Sequence, residues 1–491
     1  ALGTITGCQF TGVKLILPPL YNRVRFAGVQ CVDVPSVRIG DSTATTNFFE
    51  KSRYGVYAGN TTIEAYNNIF DRMKSTSTLA NSGSGIYLSN SNGFGNINDE
   101  KQLWPEYTLS AGKPGINSMN NFSNSPKGIV IENGDAFILG NNFNTVYNAI
   151  TLNGCINKVI DINDNTILLT NTGIDLNDNK LASIDLYRNT ITTNIANNTI
   201  NNRFCMRIND AAGFSSDLRI RDNILTNKGL HGIWVINNYD GIIQDNYIYM
   251  NQASNINSYG IKLENCEYFE VSCNPIRGNS TITYTEKKAL SLSYSPEADI
   301  LCNTTDKTGT GMEFIADCNY SNLRNNTLQY HADGITIGAD GLTGGIIGGQ
   351  PFLGSFVRPN GNIFEGQYKL ATGAGAKKGY FSHAATYSIN SVAGGELGTI
   401  NQFVVYEGDS LQVPYKNLKT GTTSTALIPT YSSRAANSCK SGCDNPNPAK
   451  ASTLNPVAPA DKFTLKEVMA SRVDQLSDNA ATVFSLKVNL L

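Results

Sequence analysis

The feature that most constrains the fold is a short motif, Gly-Ile-x-apolar-x-Asn, which recurs through the middle of the chain. From residue 128 onward, successive copies start 21 to 32 residues apart. The copies are GIVIEN at 128, AITLNG at 149, GIDLND at 173, CMRIND at 205, GIWVIN at 232, GIKLEN at 260, ALSLSY at 289, GMEFIA at 311 and GITIGA at 334. A recurring spacing of this size is typical of repeat proteins, so we expect a solenoid.

A second motif, apolar-x-Asn-x-apolar, alternates with the first. Its asparagines are Asn142, Asn165, Asn189, Asn223, Asn246, Asn303 and Asn326, and Asn68 and Asn274 fit the same pattern. In a stack of parallel strands, an asparagine at the same turn of every layer can adopt the left-handed backbone conformation and pair with the asparagine of the next layer. We therefore predict an asparagine ladder, with the glycine of the first motif making the corner between strands.

The apolar runs alternate with polar residues, which indicates short strands with one buried face. Such strands cannot bury that face alone, whereas stacked copies form one continuous core. The predicted fold class is all-β, a right-handed parallel β-helix solenoid. A leucine-rich repeat would need a helical return, a propeller would need four strands per repeat, and a calcium-binding repeat would need GGxGxD. The sequence contains none of these patterns.

The chain divides into a solenoid and a different C-terminal part. The predicted β-helix covers 1–366, with irregular coils over 1–120 and regular coils over 128–366; a terminal β cap follows over 367–431, a Ser/Asn/Pro/Ala-rich linker over 432–460 and a helical tail over 461–491. The first residues resemble the middle of a strand pattern and lack the features of a signal peptide. We therefore expect a mature fragment cut from a longer precursor.

Composition argues against two classes of partner. The net charge is −2 and only 16% of residues are charged, with acids and bases evenly spread. This balance provides no basic surface for nucleic acid. No apolar run is long enough to cross a bilayer as a helix, so no membrane span is predicted.

The ten cysteines fall into two groups. Eight lie in or beside strand-like runs and are interpreted as buried small apolar residues: Cys8, Cys31, Cys155, Cys205, Cys266, Cys273, Cys302 and Cys318. Cys439 and Cys443 lie in a loop-like segment, where a local disulfide is one interpretation. Two cysteines cannot complete a zinc site, so we predict no metal site and no cofactor. Calcium is compatible with the fold, but no carboxylate cluster in the sequence indicates it.

The asparagine ladder and the Gly-Ile-x-Leu strands resemble the pectin-lyase-like superfamily of right-handed β-helices over roughly residues 1–366. The resemblance implies the fold and leaves the activity open. The GHG and Asp-Asp motifs of polygalacturonase-like members are absent.

Two sets of side chains remain as site candidates. His331 and Asp333 are the candidates for a catalytic pair. His231 and His331 are otherwise interpreted as corner or surface residues, four rungs apart and too distant to share a site. Tyr247, Tyr249 and Tyr259 are candidates for stacking on sugar rings, with cross-strand packing as the alternative.

The chain also resembles large secreted β-helix proteins of the Bacteroidota cell surface. That resemblance implies an extracellular or cell-surface structural and adhesive protein, as one module of a larger surface or fibre protein. Its expected partners are polysaccharides, cell-surface or fibre components, or further modules of the same precursor. The alternatives are a polysaccharide lyase, hydrolase or epimerase, and a non-catalytic carbohydrate-binding β-helix.

Overall fold

The described secondary structure is entirely β-strand, and the strands form the predicted right-handed parallel β-helix. The structure is a computed structural model, and it describes residues 3–11, 27–41, 46–74, 82–90, 108–112, 119–194, 203–210, 217–251, 257–279, 287–318, 321–331, 333–337, 363–365, 380–382, 413–417, 423–426 and 443. The predicted linker, apart from Cys443, and the predicted helical tail lie outside these residues.

Each turn of the helix, or rung, contributes one strand to each of three parallel sheets, A, B and C. Sheet A contains β1 (Gly3–Ile5), β4 (Ser36–Ile39), β7 (Thr62–Ala65), β10 (Thr108–Ala111), β13 (Asp135–Leu139), β16 (Val159–Asn163), β19 (Ser183–Tyr187), β22 (Asp217–Arg221), β25 (Gly241–Gln244), β28 (Glu270–Ser272), β31 (Asp299–Leu301) and β34 (Asn322–Arg324). Sheet B contains β2 (Gln9–Thr11), β5 (Asn47–Glu50), β8 (Asn68–Asp71), β11 (Asn121–Ser123), β14 (Asn142–Asn144), β17 (Thr166–Thr170), β20 (Thr190–Thr193), β23 (Ile224–Asn227), β26 (Tyr247–Met250), β29 (Pro275–Gly278), β32 (Thr304–Asp306), β35 (Thr327–Gln329) and β37 (Ile363–Glu365). Sheet C contains β3 (Ala27–Val32), β6 (Tyr54–Gly59), β9 (Ser84–Ser89), β12 (Lys127–Glu132), β15 (Asn148–Asn153), β18 (Thr172–Asn177), β21 (Phe204–Asn209), β24 (His231–Ile236), β27 (Ser258–Glu264), β30 (Lys287–Ser293), β33 (Thr310–Ile315), β36 (Asp333–Ile337), β38 (Tyr380–Ser382), β39 (Val413–Asn417) and β40 (Thr423–Ala426).

Strands β1 to β36 form twelve rungs with the same order of sheets. The rungs before residue 120, predicted to be irregular, have this order as well. In the predicted cap region, β38 and β39 extend sheet C in parallel, and β40 pairs with β39 in the antiparallel direction. Among the described strands, this antiparallel pair is where the parallel repeat ends.

The core consists of columns of identical or similar side chains stacked from rung to rung. On sheet C, Ile129, Ile150, Ile174 and Met206 are neighbours in register, and all four are fully buried. On sheet B, the first five rungs stack phenylalanine rings, with successive centroids 4.6 to 4.9 Å apart; these are Phe10, Phe49, Phe70, Phe122 and Phe143. Equivalent residues cover one another, so short strands obtain a core that no single rung can provide.

The glycine of the repeat motif is not the corner residue that we predicted. Gly85 is the second residue of β9, and a Cβ atom there would lie 2.6 Å from the Phe122 ring. The glycine is needed because the strand passes directly over the phenylalanine column.

The buried asparagines form a continuous ladder between sheets A and B. In Asn165, the backbone N–H and the side-chain Nδ2 both donate to Oδ1 of Asn189, at 3.1 and 3.0 Å, and Nδ2 also donates to the Ile138 carbonyl at 2.8 Å. The same side-chain bond links successive members of the series Asn47, Asn68, Asn120, Asn141, Asn165, Asn189, Asn223, Asn246, Asn274, Asn303 and Asn326.

Two details of the predicted ladder need correction. Asn141 is the ladder residue, whereas Asn142 starts β14 and bonds to Asn121. The left-handed backbone conformation belongs to the residue before the ladder asparagine, as in Asp164 (φ 57°) before Asn165 and Asp222 (φ 55°) before Asn223. The ladder side chains therefore serve cross-rung bonding, and the preceding residue makes the turn.

The cysteines are paired differently from our prediction. Cys443 is bonded to Cys273, 170 residues earlier, so it is not available for a local bond with Cys439. Cys302 is also disulfide-bonded, so neither it nor Cys273 is the free buried thiol that we expected. Cys273 and Cys302 occupy the left-handed position before the ladder residues of adjacent rungs, with φ of 56° and 59°.

Candidate functional site

The outer face of sheet C carries a row of chemically unusual side chains, one from each successive rung. The register places Asp175, Arg207, Trp234, Lys262, Ser291 and Glu313 in this row. A parallel row contains Phe204, His231, Tyr259 and Lys288. These ten residues, together with Glu264, are named the sheet C patch. The row that contains Trp234 alternates along its strands with core residues such as Ile233 and Val235 and so points away from the core. The stacking of His231 on Trp234 places the second row on the same outer face.

Aromatic rings and cations are interleaved within the sheet C patch. The His231 ring stacks on Trp234 and on Tyr259, with centroid distances of 4.4 and 5.1 Å. The Lys262 ammonium lies 5.4 Å from the Trp234 ring centre and 5.0 Å from that of Tyr259, and Lys288 lies 5.4 Å from Tyr259. These distances are within the range of cation–π attraction. The aromatic faces are therefore already in contact with neighbours from the protein itself.

The charged groups of the sheet C patch are paired across rungs or along a strand. Arg207 donates two hydrogen bonds of 2.9 Å to the two carboxylate oxygens of Asp175. Glu264 accepts a bond of 2.6 Å from Trp234 Nε1 and lies 3.1 Å from Lys262 Nζ.

Glu313, only 1% exposed, lies 2.6 Å from Lys288 Nζ and accepts a bond of 2.7 Å from Ser291. Each acid in the patch is thus neutralised by a base beside it. The arrangement stabilises the stacking of rungs, because the three acids and the three bases of the patch face one another.

His231 is buried in the patch, contrary to its interpretation as a corner or surface residue. It is 6% exposed, and no hydrogen-bond partner reaches its Nδ1 atom within the described part of the chain. Burial, followed by the positive charges of Lys262 and Arg207, lowers its pKa to about 3. The imidazole is therefore neutral at ordinary pH and acts as a flat stacking group.

His331 lies inside the helix and is fully buried. Its ring nitrogens are within hydrogen-bond distance of two interior hydroxyls, with Nε2 2.9 Å from Thr305 Oγ1 and Nδ1 3.0 Å from Thr308 Oγ1. Burial lowers its pKa to about 4. The surface interpretation of His331 is wrong, and a ring enclosed in this way is poorly placed to act on a substrate. The side chain of Asp333, its predicted partner, lies outside the described part of the structure.

The three candidate tyrosines are on two different sheets. Tyr247 and Tyr249 belong to β26 of sheet B, whereas Tyr259 belongs to β27 of sheet C and joins the patch. The other patch residues were missed by sequence reasoning, although a signal was present. Asp175, Arg207, Trp234, Lys262 and Glu313 all occupy the x position of Gly-Ile-x-apolar. Comparing that position along the repeats would have revealed the row.

Among the described residues, no group of three or more His, Cys, Asp or Glu side chains is arranged to hold a metal ion. The part of the chain with described structure contains no helix that is long and apolar enough to cross a membrane. In comparisons with protein-family models, curated proteins and solved structures, the chain has no significant match.

Proposed function

We propose that this chain is a structural and adhesive module of a secreted surface or fibre protein. The observation that carries the proposal is the pairing of outward charges between neighbouring rungs. Besides the pairs in the sheet C patch, Arg188 donates two bonds of 2.7 Å to Asp164, and Arg221 bonds to Asp185 at 2.8 Å. Charges arranged in this way reinforce the stack, which is what a load-bearing rod requires.

The disulfide between Cys273 and Cys443 supports a location outside the cell or on its surface. Disulfides form and persist in oxidising compartments and are rare in the cytosol. The bond also holds Cys443 to the side of the solenoid. A protein exposed to shear and to proteases benefits from such a fastening, because the cross-link restricts the unfolded chain.

The parallel β-helix supports the finer part of the proposal, which is kinship with the pectin-lyase-like superfamily and with Bacteroidota surface proteins. In this view the chain is one module of a larger precursor. Its partners are polysaccharides, cell-surface or fibre components, or neighbouring modules. The net charge of −2 and the paired surface charges argue against nucleic acid as a partner.

An attachment assay tests the adhesive role. The full chain is coupled to inert beads, and the beads are offered surfaces coated with neutral polysaccharide, acidic polysaccharide or further copies of the chain. We expect the coupled beads to resist washing on at least one coating, and beads with heat-denatured protein to be released. Equal release of native and denatured beads from every coating would contradict the proposal.

A further inference from the structure

A groove runs along the corner between sheets B and C and crosses five successive rungs. It has a volume of ≈ 730 Å³, and its lining includes Lys74, Asn124, Pro126, Tyr147, Leu169 and Asn194. These residues follow or precede strands of consecutive rungs, so at about 4.8 Å per rung the groove extends for roughly 20 Å. The volume is within the range of small-molecule sites. This surface is named the corner groove.

The aromatic ring in the corner groove is free, in contrast to the rings of the sheet C patch. Tyr147 is 51% exposed, and no ring contact or side-chain hydrogen bond engages it within the described residues. Its backbone is nevertheless fixed, because its carbonyl accepts bonds from Asn171 N at 3.1 Å, Thr172 N at 3.0 Å and Thr170 Oγ1 at 3.0 Å. The ring is therefore accessible to a ligand and is attached to a backbone that is held in place.

The lining of the groove also contains a leucine in an unfavourable backbone conformation. Leu169 has φ of 54° and is 43% exposed. Asn124 has the same left-handed conformation on a preceding rung, and asparagine tolerates it far better than leucine does. The Asn194 side chain donates to the Leu169 carbonyl at 2.8 Å. The exposed Leu169 side chain adds apolar surface to the groove.

The chemistry of the lining indicates the class of ligand. The polar groups are amides and hydroxyls, from Asn124, Ser125, Thr145, Asn171 and Asn194, and Lys74 is the one charged side chain among the described residues of the lining. A flat apolar ring beside neutral hydrogen-bonding groups suits a molecule with an apolar face and many hydroxyls. An acidic polymer would call for several cations. We propose that the corner groove binds a neutral oligosaccharide, an inference that rests on the adhesive role and names its ligand.

The test measures binding of soluble neutral gluco- and manno-oligosaccharides to the full chain by calorimetry, with oligogalacturonate as the acidic comparator. We expect the neutral series to bind and Tyr147→Ala to weaken that binding roughly ten-fold or more, because stacking on the ring is lost. Tyr294→Ala is the matched control, since Tyr294 is 50% exposed but lies outside this groove. The Tyr294→Ala variant is expected to bind the neutral oligosaccharides with the affinity of the unmodified chain.

A second variant separates binding from folding. Leu169→Asn suits the left-handed backbone better, so we expect thermal stability to be kept or raised while affinity falls. Absence of binding to the neutral series, preference for the acidic comparator, or unchanged affinity in both groove variants would overturn the assignment. If the beads of the attachment assay still adhere in that case, the adhesive role stands and only the groove is rejected.

Discussion

At the scale of single residues, the ladder asparagines are the most demanding positions in the molecule. Asn189 uses every polar atom of its side chain. Nδ2 donates to the Ile162 carbonyl and to Asn223, while Oδ1 accepts two bonds from Asn165. The side chain is fully buried, so water cannot replace these partners. Aspartate has the same length and planar shape, but its ionised carboxylate has no donor. No other residue type of this length offers a donor and an acceptor in one planar group.

Replacing Asn189 by alanine is therefore expected to lower the free energy of unfolding by roughly 3 kcal/mol or more, because several buried groups lose their partners at once. Chemical denaturation of the full chain measures the change. Asn144→Ala is the matched control, since Asn144 is exposed and its substitution should alter the free energy by less than about 0.5 kcal/mol. Similar losses in the two variants would show that the ladder bonds contribute little.

The buried His331 makes stability depend on pH. Its pKa falls from 6.5 in the unfolded chain to about 4 in the fold, so the unfolded chain binds the proton more readily. The stabilisation is complete above pH 6.5 and is lost as the pH falls towards 4, a change on the order of 3 kcal/mol.

His331→Gln keeps polar groups near Thr305 and Thr308 but cannot titrate. We expect the free energy of unfolding of this variant to fall less steeply between pH 6.5 and 4 than that of the unmodified chain. Denaturation curves collected across this window provide the comparison. Identical slopes would mean that His331 does not titrate as described.

At the scale of structural elements, the repeat glycines are explained by how closely their strands approach neighbouring side chains, because this approach leaves no room for a Cβ atom. In Gly85, an added methyl group would lie 2.6 Å from Phe122 and 3.1 Å from the Gly128 carbonyl. In Gly59, at the outward end of the neighbouring strand β6, the nearest atom would be 3.6 Å away. Close packing thus requires glycine at position 85, whereas position 59 has room for a Cβ atom.

Gly85→Ala is expected to destabilise the protein by about 1–3 kcal/mol, because the Phe122 ring and the strand must move apart. Gly59→Ala, which meets ordinary contact distances, is expected to leave the free energy of unfolding unchanged or slightly raised. Thermal unfolding of both variants checks the contrast. Equal effects would contradict the packing that we describe for sheet C.

Much of the repeat was predictable from sequence, because the features that define it lie within a few residues of one another. Alternating apolar residues and recurrent asparagines gave the parallel rungs and the ladder. The exact ladder residue was missed at Asn141, because Asn142 beside it fits the same pattern. The partner of Cys443 was also missed. Cys273 is 170 residues away, and local sequence does not encode which cysteine the folded chain brings near.

The sheet C patch was missed for a related reason. Trp234 and Lys262 become neighbours only through the register of adjacent rungs, across an intervening loop. Variable loop lengths shift the sequence spacing while the register stays fixed. A sequence comparison has to align the strands before such a row becomes visible.

At the scale of the whole molecule, the twelve rungs make a rod about 50 Å long, at about 4.8 Å per rung. On its sheet C surface, charged groups and aromatic rings contact one another, whereas the Tyr147 ring in the corner groove is exposed. The proposed role of the protein is to attach to a polysaccharide partner without cleaving it.

The most direct test incubates the full chain with a panel of acidic and neutral polysaccharides and follows the release of reducing ends and of unsaturated products. We expect native protein to be retained on at least one polymer, with product release no greater than that of heat-denatured protein. Product release that continues with time and increases in proportion to the amount of native protein would contradict this expectation and would identify the chain as a polysaccharide-cleaving enzyme.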